Sequence, residues 1–279
     1  MIPWPKAPVE WIEGRTLCIS IPFTWNLTAV LKRLKQREMR WDKALVGGPA
    51  AKLMPRYFDE LPYVRTGQHH PDALYRVNPL ATRTMIGCIR ACKFCAVPKI
   101  EGRLREFDSW PNRPIVIDNN LLACSKEHFD RVIDGLKQIG EADFNQGLDA
   151  RKLTDYHAQR IAEIRYPVVR LALDSMDCAE QWVDAFSMLR SAGIAKHRIS
   201  SYAIFGFDSG IEEAWDRFSF IESFKIKAYP MWFHRLDAMK VNVVTDEQKA
   251  LGWTDRERKK VMQWFYQHRD VDKPRRKAA

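Results

Sequence analysis

From Pro79 to Phe233 short β-rich apolar runs alternate with amphipathic helical stretches, and this alternation restricts that part of the chain to consecutive parallel βα units. Six units can be counted, fewer than the eight that close a full barrel. The first strand is expected over about 81–86 and the second over 114–118, leading into Asn119 and Asn120. A helix follows from Ser125 as its cap, with Phe129, Val132, Ile133, Leu136 and Ile139 on one face. The third strand, 143–146, ends at Gly147, and its helix starts near Thr154 with Ile161 and Ile164 inward. The fourth, 168–174, ends in an acid and precedes a helix carrying Trp182, Val183, Phe186 and Leu189 before the breaker Gly193. The fifth, 199–205, stops at Gly206, a helix runs over 211–224, and the sixth covers 228–233. Loops leaving the C-terminal ends of such strands form the site, so the polar strand ends are expected on one rim.

Three cysteines are spaced Cys88-x3-Cys92-x2-Cys95 inside Gly87-Cys88-Ile89-Arg90-Ala91-Cys92-Lys93-Phe94-Cys95. One short loop with this spacing can hold three corners of an iron–sulfur cube and leave the fourth iron open to a small ligand. A structural zinc site is normally closed by four protein ligands, so it requires a distant histidine such as His69, His70 or His128 to complete the shell. Cys18, Cys124 and Cys178 are scattered singly in apolar or helix-edge settings, where an inert thiol is the ordinary outcome and a disulfide framework is not.

The loop resembles that of the radical S-adenosylmethionine enzymes, whose signature has this cysteine spacing, and the resemblance covers roughly residues 80 to 235. The stretch Ala96-Val97-Pro98-Lys99-Ile100-Glu101-Gly102-Arg103 also resembles the segment that follows the cysteines in the methylthiotransferase and cobalamin-binding branches. The resemblance implies a 4Fe–4S cluster on Cys88, Cys92 and Cys95, and S-adenosylmethionine held on the open iron and cleaved reductively to methionine and a 5′-deoxyadenosyl radical. It implies an open, curved (β/α)6 partial barrel of the TIM type, and an electron donor such as a flavodoxin or ferredoxin.

Phe94 matches the aromatic position whose backbone lies near the adenine, with anchoring of the loop as the rival role. Where relatives carry a Gly-Gly-Glu-like segment for the methionyl amine, this chain has Asp118-Asn119-Asn120, whose amide and carboxylate groups can accept hydrogen bonds from an ammonium but also suit a turn. Gln146 and Asp174, at the third and fourth strand ends, are candidates for a ribose hydroxyl or a substrate, with capping of the next helix as the rival role. Tyr202-Ala203-Ile204-Phe205-Gly206-Phe207 resembles a Gly-x-Ile-x-Gly segment that lines adenine, with Tyr202 in place of the first glycine, and so offers Ile204 and Gly206. Tyr229, Trp232 and Arg235 are the candidate substrate wall, two rings for a base and a cation for a phosphate, unless Trp232 only plugs the barrel.

Residues 1–79 form a shorter α/β unit, with a strand over 16–23, a helix over about 27–40, and Gly47 and Gly48 as a strand-to-helix turn. It resembles a trimmed, Rossmann-like cobalamin-binding domain. The Asp-x-His-x-x-Gly of that domain is missing, since Asp155-Tyr156-His157 is followed by Arg160, and cobalamin is not expected. After the barrel at 80–235, residues 236–279 are read as an extension: an extended connection over 241–245, a basic helix over 254–268 with Val261, Trp264 and Phe265 inward, and a basic tail, Lys273-Pro274-Arg275-Arg276-Lys277. No accessory cysteine cluster accompanies the barrel, which disfavours sulfur insertion.

The 279 residues and their 46% hydrophobic content suit one large α/β domain with appendages. No membrane span or secretory leader is read, and a cytoplasmic setting suits reduced cysteines. A net charge of +10, a pI near 9.3 and ten tryptophans give weight to a polyanionic partner with stackable bases. The expected function is radical modification of a nucleobase, nucleotide or nucleic acid. The alternatives are a peptide or small metabolite as substrate, and a non-catalytic nucleic-acid-binding protein stabilised by metal.

Overall fold

The computed structural model of the chain describes residues 4–36, 41–67 and 70–269. His69, the stretch 37–40 at the end of the first expected helix, and the basic tail lie outside the described residues. The chain is an α/β protein of two compact units, Met1–Ala142 with His234–Val241, and Asp143–Phe233 with Asn242–Ala279.

The first unit opens with a hairpin absent from the sequence reading. Strands β1 (Val9–Glu13) and β2 (Thr16–Ser20) pair antiparallel, with Glu13 opposite Thr16 across Gly14 and Arg15. Strands β3 (Lys43–Gly47) and β4 (Val64–Thr66) add in parallel, giving the order β1-β2-β3-β4. Helix α1 (Leu27–Lys35) buries Leu27, Val30 and Leu34, one helical face, in a core with Leu17, Ile19, Val46 and Phe58. Gly48 turns the chain into α2 (Pro49–Leu53), as expected, and α3 (Ala73–Val77) follows.

The expected first strand is split into β5 (Ala81–Thr82) and β6 (Met85–Ile86). β5 pairs in parallel with β8 (Ile115–Val116), whereas β6 pairs antiparallel with β7 (Arg105–Glu106) beyond the short helix α4 (Val97–Ile100). The break has a local cause: the backbone N–H groups of Thr84 and Met85 are taken by the Asp118 carboxylate instead of a neighbouring strand. Helix α5 (Lys126–Ile139) starts where expected, with the Ser125 side chain accepting from the His128 N–H. Phe129, Val132, Ile133 and Leu136 are buried, but Ile139 is exposed, one residue before the left-handed Gly140 cap.

Strands β9 (Glu141–Phe144), β10 (Tyr166–Ala172), β11 (Ile199–Phe205) and β12 (Lys227–Trp232) complete a six-stranded sheet of order β12-β11-β10-β9-β8-β5. β10 pairs with β11, and β11 with β12, in parallel. β9 and β10 each begin two residues earlier than expected; the chain already turns at Asn145 and Gln146, where the Gly147 N–H returns to the Phe144 carbonyl. In the second unit α6 (Asp155–Ala162) is capped by Thr154, and Ile161 and Ile164 are buried. Helix α7 (Ala179–Ser191) buries Trp182, Phe186 and Leu189, with Val183 half-buried, and α8 (Ile211–Ser223) follows β11.

Residues 241–245 form no strand; Asn242 has φ 60, and Thr245 caps α9 (Asp246–Ala250) with a capping box. Helix α10 (Asp255–Arg269) buries Val261, stacks Trp264 on Phe218 with centroids 5.5 Å apart, and sets Phe265 5.2 Å from Tyr229 of β12. Among the described residues no helix is long and apolar enough to cross a membrane.

Candidate metal centre

The cysteine loop is pinched at its base. Gly87 has φ 77, and a Cβ there would lie 2.1 Å from the Arg103 carbonyl oxygen, so the two ends of the loop meet as bare backbone. The Cys88 N–H donates to the Gly102 carbonyl at 3.3 Å. Glu101 sits across this pinch with its side chain almost wholly buried. One carboxylate oxygen accepts from the Gly87 N–H (3.0 Å) and the Asn119 amide (2.6 Å), and the other from Arg83 Nη1 (2.9 Å).

Inside the loop Cys88, Cys92 and Cys95 are of intermediate exposure and belong to no disulfide. The Arg90 N–H points at Cys88 Sγ (3.3 Å), the Asn120 amide reaches the same sulfur (3.6 Å), and the Val97 N–H points at Cys95 Sγ (3.4 Å). Hydrogen bonds to sulfur are among the features that tune a thiolate-held metal cluster. Burial pushes the Cys95 thiol up, with the Val97 N–H opposing. The Cys95 N–H closes a turn on the Cys92 carbonyl, and α4 begins two residues later.

Three consecutive residues after β8 each grip a different part of this segment. Asp118 is buried; its Oδ1 accepts from the Thr84 (2.7 Å) and Met85 (3.1 Å) N–H groups, and its Oδ2 from the Thr84 hydroxyl (2.6 Å). Asn119 donates to Glu101 and Asn120 to Cys88. Desolvation pushes the Asp118 carboxyl up to about 6, against the pull of those hydrogen bonds. The Thr84 hydroxyl, donating to Asp118, accepts from His128 Nε2 at 2.8 Å, which assigns the ring proton to that nitrogen. Burial holds His128 below the usual imidazole range, so it is a neutral structural partner in this arrangement. Asp118 and Asn119, expected at the cofactor amine, are thus engaged in supporting the loop. Glu101, Thr84 and Asn120 were not singled out in the sequence. The signal available was topological: in parallel βα units the residues after one strand lie beside those after its neighbour.

Phe94 lies half-buried in the same loop, and Arg235, also in this unit, is exposed and pairs with both oxygens of Asp237 at 3.1 Å. The Arg235 hydrogen bond first, and the charges of Arg235 and Lys99 with it, hold the Asp237 carboxyl below the usual carboxylate range.

In the second unit Gln146 is exposed in the turn after β9. Asp174 Oδ1 accepts from the Ile204 N–H at 3.1 Å, joining two of the expected residues, and burial pushes its carboxyl up. The buried Arg217 donates to the Asp174 and Ile204 carbonyls and to the Ser209 hydroxyl, locking the ends of β10 and β11 to α8. Gly206 is packed under the Trp232 ring, which would lie 2.2 Å from an added Cβ, and its carbonyl accepts from Gln248. Trp232 is seated with Phe205 at 5.1 Å and Trp253 at 5.6 Å, a packing position. Tyr229 meets the edge of Tyr202, whose hydroxyl donates to the Asn145 carbonyl.

A second group with metal-ligand chemistry lies in the first unit. Ligand atoms of Glu13, Cys18 and His70 fall within 4.8 Å of one another. Hydrogen bonds account for the pairing of Glu13 with His70: the Asp72 N–H donates to His70 Nδ1, which leaves the ring proton on Nε2 facing Glu13 at 2.9 Å, while Trp11 Nε1 donates to the other Glu13 oxygen. The His70 bond, first among its causes, lowers the Glu13 carboxyl. Compared with protein-family models and with curated proteins, the chain finds no match.

Proposed function

We propose that this chain is a radical S-adenosylmethionine enzyme that modifies a nucleobase, nucleotide or nucleic acid. The observation that carries the reading is the cysteine loop itself, in which three cysteines outside any disulfide share one pinched segment and two of them face backbone N–H donors. That donor set fits a 4Fe–4S cluster held by Cys88, Cys92 and Cys95, because thiolates are its natural ligands and N–H groups aimed at sulfur tune it. When bound, the cluster and S-adenosylmethionine supply one-electron cleavage of the sulfonium, which starts radical chemistry on a substrate. The chain's own residues hold the loop: Glu101 fixes its base, Asp118 diverts the strand into it, and Asn120 orients a sulfur.

A sheet whose strands follow one another in chain order, β5-β8-β9-β10-β11-β12, supports an open (β/α)6 partial barrel of the TIM type as the scaffold. The charge of +10 supports a polyanionic substrate. The reading also calls for a one-electron donor such as a flavodoxin or ferredoxin, and for a reducing, cytoplasmic compartment.

Anaerobic reconstitution followed by iron, sulfide and zinc analysis tests the centre. One 4Fe–4S cluster per chain is expected, abolished in Cys92→Ala, with formation of 5′-deoxyadenosine from S-adenosylmethionine after dithionite reduction. Stoichiometric zinc without iron would refute it, and a cluster that never cleaves S-adenosylmethionine would return the chain to a metal-stabilised binding protein.

A further inference from the structure

The turn after β2 carries one exposed ring, Phe23, beside the half-buried Trp25. Thr24 is buried and its hydroxyl donates to the Ala238 carbonyl at 2.5 Å, while the neighbouring Phe23 is 38% exposed. Phe58, Phe129, Phe144, Phe205 and Phe218 are, by contrast, all essentially inaccessible. Phe23 and Trp25 stack with centroids 4.5 Å apart and planes 11° from parallel, and the half-buried His234 sits 4.9 Å from Trp25 with its plane tilted by 49°. The third ring thus comes from a segment distant in sequence, which the Thr24 to Ala238 bond and the packing of Met239 on the core tie to the turn. The Asn26 N–H returns to the Phe23 carbonyl, so the ring-bearing turn is braced from within as well. Such bracing removes much of the ordering cost that a binding surface otherwise meets.

The surroundings are basic and lie near the cysteine segment. Helix α2 packs both on the Thr24–Asn26 turn and on α4, the helix that begins two residues after Cys95. Lys99 of α4 is exposed and close enough to act on Asp237, which also binds the exposed Arg235, next to His234. Two cations thus flank one carboxylate beside the rings, leaving a net positive rim.

We infer that Phe23, Trp25 and His234 are a stacking platform for the bases of a single-stranded nucleic acid, with Lys99 and Arg235 at its phosphates. Planar rings with cations alongside are what a base-and-phosphate chain requires, since every base has a face to stack and every linkage a charge to neutralise. An apolar peptide would make no use of the cations. The inference rests on the nucleic-acid reading above and assigns it a surface that the β12 residues, with Trp232 packed inward, do not supply.

The test is fluorescence anisotropy with the full chain and short fluorescein-labelled single-stranded DNA and RNA oligonucleotides of mixed sequence, at low and raised salt. Wild type is expected to bind at least one of the two, more weakly as salt rises. Trp25→Ala should lose roughly tenfold in affinity, Phe23→Ala a comparable amount, and Trp25→Phe should keep most of it. Urea midpoints of the variants confirm folding, and if Trp25→Ala does not fold, Phe23→Ala at the exposed ring decides. Wild-type affinity in a folded alanine variant would overturn the platform while leaving nucleic-acid binding standing. Absence of binding by wild type to either oligonucleotide would remove the nucleic-acid reading and the platform with it. A variant that changes the oligomeric state in size-exclusion chromatography but not oligonucleotide affinity would make the rings a protein contact and overturn the inference.

Discussion

Gly87→Ala separates two costs that a glycine at positive φ usually hides in one number. Gly87 and Gly102 have nearly the same φ, 77 and 75, and both belong to the cysteine segment. An added Cβ at Gly102 meets nothing within 4 Å, so Gly102→Ala reports only the cost of the left-handed conformation, about 1–2 kcal/mol. At Gly87 the Cβ would lie 2.1 Å from Arg103 O, 2.4 Å from Arg103 C and 2.8 Å from Gly102 O. All three atoms are backbone, so no side-chain rotation relieves them. The two chain segments must part by about 0.9 Å to restore the closest tolerable Cβ approach of 3.0 Å. That movement takes the Cys88 N–H, now 3.3 Å from the Gly102 carbonyl, out of hydrogen-bond range and loosens the Gly87 N–H from Glu101. Adding about 1–3 kcal/mol of overpacking to the conformational cost gives about 2–5 kcal/mol for Gly87→Ala. Urea unfolding of both variants reads the difference, and anaerobic iron uptake reads the loop. We expect Gly102→Ala to fold and bind iron like wild type with a small loss of stability, and Gly87→Ala to lose more stability and most of its iron. Equal behaviour of the two variants in both assays would refute the pinch.

Two further outcomes follow from buried polar groups. Asp118, normally near 3.8 and pushed up to about 6 in the fold, binds its proton more tightly folded than unfolded, so its contribution to stability is fully present below 3.8 and is lost as pH rises through about 6. The shift corresponds to about 3 kcal/mol; the stability of wild type relative to Asp118→Asn should fall by that order between pH 4 and pH 7, and a difference flat with pH would sink the assignment. Arg217→Met leaves the Asp174 and Ile204 carbonyls and the Ser209 hydroxyl without their donor and should cost about 3 kcal/mol in urea unfolding. A loss below about 1 kcal/mol, within the range of an ordinary surface change, would show that water replaces the guanidinium.

What the sequence by itself determined is local. Ser125 and Thr154 cap their helices because each hydroxyl needs only the N–H three residues on, and β11 ends where expected because Gly206 takes a positive φ that its neighbours avoid. The six strands of the larger sheet are countable from apolar spacing alone, and the Gly14 hairpin has its two-residue turn in plain view. The cysteine spacing marked the loop for the same reason, since all three thiols lie within eight residues of one another. Tertiary structure decided the rest, because those groups found partners far along the chain. β5 breaks from β6 because Asp118 competes for Thr84 and Met85, Glu101 closes the cysteine loop against Arg83, Gly87 and Asn119, and Trp232 turns from a candidate wall into packing over Gly206. The grouped rings of Phe23, Trp25 and His234 are the extreme case: no spacing in the sequence relates His234 to the other two, and the Thr24 to Ala238 bond and the packing of Met239 bring the two segments side by side. A buried donor or acceptor must be matched wherever the fold places it, and that matching is invisible until the strands are in register.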